Sequence, residues 1–195
     1  LAGIPKDRYY LYRSRWNTQS PTLHILPHWN WSAKNRSEKG REGEVTPVFV
    51  YTSYDSAELF VNGKSMGVQK KHHATPQNRY RLMWTDVKYE PGSVKVIAFG
   101  KDGKPAAEQI MVTAGKPHHL KLEADRSAIV ADGRDISFIT VSIVDKDGNL
   151  CPVSEQSLQF NVKGNGTFKA VCNGDATSLE PFHLPTMKTF GGKLV

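Results

Sequence analysis

The sequence predicts an all-β chain of two sandwiches in tandem, preceded by one short helix. Short stretches rich in β-branched and aromatic residues recur at the roughly 8–12-residue spacing of sandwich strands. Asn62-Gly63, Asp102-Gly103 and Asp147-Gly148 stand between such stretches, as two-residue hairpin turns with positive φ require. Helical periodicity is confined to a single segment near the N-terminus.

In that segment Pro5 and Asp7 suit a helix start, and Tyr9, Tyr12 and Trp16 follow at i, i+3 and i+7 on one face. The face is large and apolar for one short helix, so it needs a partner surface. No second helix is predicted that would supply one.

From Leu23 the pattern is β. Residues 23–26 form a short strand ended by Pro27, a polar loop covers 34–43, and 45–52 is the next strand. Residues 57–61 and 65–68 flank Asn62-Gly63, the strongest hairpin signal in the chain. Residues 79–87, 94–99 and 107–113 complete about seven strands, the number of an immunoglobulin-like sandwich. Ala114-Gly115-Lys116-Pro117 then separates one strand set from the next. The second set runs over 119–123, 128–131, 136–144, 158–162 and 167–171, weakens after Asn173-Gly174-Asp175, and ends in 190–195 as the entry to a strand that stops short. The predicted organisation is a helical segment over 1–20, a first immunoglobulin-like sandwich over 21–114, and a second over 117–195.

The net charge of +7 suggests nucleic acid only until it is located. Residues 1–43 carry 8 Lys+Arg against 3 Asp+Glu, while 115–195 carry 9 of each. The excess is interleaved with the helix aromatics, and no nucleic-acid recognition motif follows it. No apolar run approaches the ~20 residues of a membrane span. Leu1 leads into Gly3-Ile4-Pro5 without the charged and apolar regions of a secretory leader, so the N-terminus is expected to be mature or cut. Cys151 and Cys172 enclose no Trp, unlike an immunoglobulin inter-sheet bridge, and are expected to be free thiols.

Paired carboxylates, as glycoside hydrolysis requires, are not marked by any motif, and the acids fall mostly in turns. There is no Gly-x-Ser-x-Gly elbow. The adjacent pairs His72-His73 and His118-His119 would point to opposite strand faces, and Cys-x-x-Cys is absent, so no metal and no cofactor is expected. One constellation has binding character: His28, Trp29, Asn30 and Trp31. Two tryptophans one residue apart on an extended segment share a face, which would give an aromatic wall able to stack on a sugar. The competing reading is that the pair packs the first sandwich against a neighbouring surface.

Residues 3–16 resemble the last helix of the catalytic (β/α)8 barrel of glycoside hydrolase family 2, the β-galactosidase family. Residues 23–31, Gly40-Arg41-Glu42-Gly43, 48–52 and 57–67 are similar to the sandwich that follows that barrel. Residues 117–190, with Asn173-Gly174-Asp175-Ala176-Thr177-Ser178 and Phe190, are similar to the next immunoglobulin-like domain. The resemblance implies that the helix is left over from the barrel, and that the barrel is the chain's own partner. It implies that the catalytic glutamates lie elsewhere, that no catalytic residue maps here, and that the location is periplasmic or secreted. A glycan is a further partner to expect; nucleic acid and a membrane span are not. An immunoglobulin-like adhesion or carbohydrate-binding module is the alternative on strand pattern alone, but an adhesin repeat has no use for a lone aromatic helix.

Overall fold

Buried and partly buried residues alternate strictly along Ser56–Val61 and Ser93–Phe99, as period-2 strands with one face in a core require. A computed structural model describes residues 3–32 and 40–195; Leu1 and most of the polar loop expected over 34–43 lie outside the described residues. The chain divides into two compact units, Pro5–Thr113 and Ala114–Val195, the latter grouped with Gly3 and Ile4.

The first unit contains α1 (Asp7–Trp16), β1 (Leu23–Leu26), β2 (Val48–Thr52), β3 (Ser56–Val61), β4 (Lys64–Lys70), α2 (Pro76–Tyr80), β5 (Leu82–Trp84), β6 (Ser93–Phe99) and β7 (Pro105–Val112). Its strands form two antiparallel sheets, β1-β2-β5 and β4-β3-β6-β7. Ile25, Val48, Val50, Leu82 and Trp84 of one sheet meet Ala57, Leu59, Val61, Val94, Val96 and Ala98 of the other in a single core. This is the expected immunoglobulin-like sandwich. Val61 pairs with Lys64 across Asn62 (φ 49°) and Gly63 (φ 80°), so the hairpin turn forms with both central residues left-handed.

α2 departs from the sequence expectation, which placed a strand over 79–87. Thr75 caps the helix by accepting a hydrogen bond from the Asn78 N–H at 3.2 Å, and Pro76 occupies its first turn. That pairing is a helix-start signal, and it confines the strand to the three residues of β5.

The second unit contains β8 (His119–Ala124), β9 (Ile139–Val144), β10 (Ser157–Gln159), β11 (Thr186–Lys188) and β12 (Lys193–Leu194). Sheets β12-β9-β8 and β10-β11 enclose Val141, Val171, Met187 and Leu194, with Leu158, Phe160 and Phe168 against them. Two expected strands are replaced by irregular chain. Within 128–131 a carboxylate takes a backbone donor, Asp135 accepting from the Val130 N–H at 2.9 Å, and in the turn that follows Asp132 accepts from the Arg134 and Asp135 N–H groups at 2.8 Å. Side-chain acceptors of this kind compete with a ladder. Over 167–171 the backbone bonds are isolated, Val171 N–H donating to the Phe182 carbonyl at 2.8 Å. Leu120, Leu122, Val130 and Phe138 all remain exposed.

Asp145 organises the start of this unit. It is 2 % exposed and accepts from Gly115 N–H (2.8 Å), Asp147 N–H (2.9 Å), Asn149 N–H (2.8 Å) and the Asn149 side chain (3.1 Å). Burial works to raise its pKa, but these donors outweigh burial and hold the carboxyl down at about 2. Cys151 and Cys172 are both free. Burial first, then the Asp145 charge, pushes the Cys151 thiol up, away from the thiolate form that a nucleophile needs.

Candidate functional site

The four candidate residues do not form the expected tryptophan wall. The Leu26–Pro27 bond is cis, and Trp29 enters the first core at 1 % exposure. Its Nε1–H donates to the Glu90 carbonyl at 2.9 Å, and its ring meets Tyr89 edge-on with centroids 5.0 Å apart. Its carbonyl accepts from the Thr113 hydroxyl at 2.7 Å. Asn30 is also buried. A sugar cannot reach either residue without opening the sandwich. Trp31 stays half-buried, with His28 stacked on it at 4.3 Å and the Arg41 guanidinium over its ring at 5.2 Å. The period-2 rule put both indoles on one face, but it holds only for regular extended chain, and 27–31 is an irregular connection with bends at Pro27 and Trp29.

His24 and His28 have a His-x-x-x-His spacing, but that spacing places two ligands together only on a helix. Here His24 stacks on Tyr10 and His28 on Trp31. Among the described residues no three His, Cys, Asp or Glu side chains converge as a metal site, and no helix is long and apolar enough to cross a membrane.

α1 is two-sided. Asp7, Tyr10, Arg13 and Ser14 face the sandwich. Asp7 Oδ1 lies 2.7 Å from His24 Nε2, and Arg13 donates to the hydroxyls of Thr22 at 3.0 Å and Ser20 at 2.8 Å. The Ser14 carbonyl accepts from Ser53 at 3.1 Å. Tyr9, Tyr12 and Trp16 lie on the other side, 52 %, 47 % and 72 % exposed. The Tyr12 and Trp16 rings stack at 4.8 Å.

Next to α1, sequence reasoning missed a polar cavity of about 350 Å³ lined by Ser14, Arg15, Thr52, Asp55, Lys71 and Arg79, among others. Four chain segments contribute to it, so no contiguous motif announces it; the Lys70-Lys71-His72-His73 run was the one available signal.

Two family models match: a domain of unknown function, DUF4982, over residues 43–107, and the glycoside hydrolase family 2 C-terminal domain 5 over residues 120–195. The chain is 45 % identical over 193 residues to beta-galactosidase BoGH2A of Bacteroides ovatus, covering 99 % of this chain and 21 % of that protein. The chain belongs to the C-terminal part of glycoside hydrolase family 2. A putative beta-glucuronidase of Formosa agariphila is 31 % identical over 175 residues, which cover 90 % of this chain and 16 % of that protein. The crystal structure of a beta-glycosidase from Bacteroides vulgatus superposes with a TM-score of 0.83 at 34 % identity, over 99 % of this chain and 23 % of that one. The chain thus spans about a fifth or less of the length of the curated relatives it matches. The expected family and its all-β immunoglobulin-like fold are both found.

Proposed function

We propose that this chain is a non-catalytic accessory region of a larger family 2 glycoside hydrolase acting on β-galactosides or related plant or host glycans. Its task is structural: it docks against the catalytic barrel through α1. The observation that carries this reading is the exposed Tyr9, Tyr12 and Trp16 face of a helix whose other side is held to the sandwich by Asp7, Tyr10, Arg13 and Ser14. Contiguous exposed aromatic surface of this kind marks an interaction site. The exposed apolar residues of the second unit, Leu120, Leu122 and Phe138 among them, support the same reading.

Chemistry in the candidate sites points the same way. The cavity beside α1 is lined by one carboxylate, Asp55, among cationic side chains, whereas glycoside hydrolysis needs two carboxyl groups flanking the bond. The chain by itself is therefore expected to hydrolyse neither an aryl β-galactoside nor an aryl β-glucuronide. Turnover that disappears when an acidic residue of this chain is replaced would overturn the proposal. A periplasmic or secreted location belongs to the same proposal, and cell fractionation of the natural host tests it.

A further inference from the structure

The cavity beside α1 is built from cations. Arg15, Lys70, Lys71 and Arg79 line it together with His72 and His73, against Asp55 as counter-charge. Holding like charges this close is unfavourable unless something opposes them. They are held nonetheless. Lys71 Nζ donates to the Thr52 carbonyl at 2.5 Å, and its backbone N–H donates to the Asp55 carbonyl at 2.8 Å. The guanidinium carbons of Arg15 and Arg79 lie 5.9 and 6.0 Å from the Tyr80 ring centroid, within cation–π range. The His72 N–H donates to the Asn78 carbonyl at 3.2 Å, tying α2 to the segment that follows β4.

We propose that this cavity binds the oxyanion group, a carboxylate or a sulfate ester, of an acidic sugar. Guanidinium groups present paired N–H donors that match such a group, and an ammonium adds a point charge. Burial, the largest influence on Lys71, disfavours its charged form, the nearby Asp55 favours it, and Arg15 opposes it. An incoming anion offsets the repulsion from Arg15 and favours the charged form of Lys71. The volume of about 350 Å³ lies at the small end of the range for small-molecule pockets. The choice of a sugar as carrier rests on the glycan-directed reading above, whereas the recognition of an oxyanion rests on the cavity alone.

Titration calorimetry of the full chain at low salt tests the proposal with four probes: D-glucuronate, D-galactose 6-sulfate, D-galactose and inorganic sulfate. Both acidic sugars are expected to bind, with affinity falling as salt rises, and D-galactose is expected not to. Arg79→Gln and Lys71→Gln should each weaken acidic-sugar binding roughly tenfold or more, while Lys104→Gln, in the β6–β7 turn, should leave it unchanged. Arg79 lies on an exposed helix, so its variant keeps the test valid if Lys71→Gln fails to fold. Equal binding of galactose and glucuronate, or full affinity in Arg79→Gln, would overturn the site. Inorganic sulfate binding as tightly as the sulfated sugar would overturn the sugar as carrier.

Discussion

The Tyr10 ring lies flat on the His24 imidazole, with centroids 3.8 Å apart and planes 11° apart. This stack joins α1 to β1 and fixes which side of the helix faces outward. His24 also holds Asp7 at 2.7 Å, so a single β1 side chain engages two successive turns of α1. The exposed aromatic face is thus presented on a docked helix.

His24→Ala should loosen that docking at a cost of about 1 kcal/mol, the scale of an aromatic pair. Urea denaturation measures it. A variant as stable as the parent would show that α1 is held by Arg13 and Ser14 alone.

Trp29 and Trp31 separate core from surface. Trp29→Ala empties a fully buried site and removes the hydrogen bond to Glu90, so it should destabilise by about 3–5 kcal/mol. Trp31→Ala, at a half-buried position, should cost about 1–2 kcal/mol. Equal costs would contradict the placement of Trp29 in the core.

Asp145 makes stability depend on pH in a defined window. Its folded pKa is about 2 against 3.8 without the fold. The folded state therefore favours the ionised form, and the stabilisation is fully present above about pH 4 and lost as pH falls through about 2. Its size is on the order of 2 kcal/mol. Asp145→Asn should be less stable at neutral pH and should lose less stability than the parent between about pH 4 and 2. Denaturation curves across that range show whether it does.

Gly192 has φ 71° and sits against the Cys151 backbone carbonyl, which an added Cβ would strike. Gly192→Ala should cost at least about 1–2 kcal/mol from the left-handed backbone alone. Gly148→Ala, at φ 83° with open space around it, carries the strain without the clash. Thermal unfolding of both variants should place Gly192→Ala lower.

The fold was legible where local chemistry and the hydrophobic pattern agree. Asn62-Gly63 specifies its hairpin because few residues tolerate both left-handed positions, and the alternation in β3 and β6 marks the faces that become the core. Legibility failed where side chains compete for the backbone: Asp135 takes the Val130 donor that a strand over 128–131 would have used, and Thr75-Pro76 starts a helix that runs into the region expected as a strand over 79–87. The candidate site fared differently. Trp29 and Trp31 carry the same residue type, and only the course of the chain after Pro27 sends one inward. The cationic cavity joins residues from Ser14 to Tyr80, a juxtaposition that no local spacing encodes.

If α1 presents Tyr9, Tyr12 and Trp16 to the catalytic barrel of a larger glycoside hydrolase, as proposed, that barrel shields Trp16. Hydroxyl-radical footprinting of Trp16, compared between this chain alone and the full-length protein that carries it, reads the shielding. Strong labelling is expected in the isolated chain, where Trp16 is 72 % exposed, and strong protection in the full-length protein. Equal labelling of Trp16 in both would contradict it.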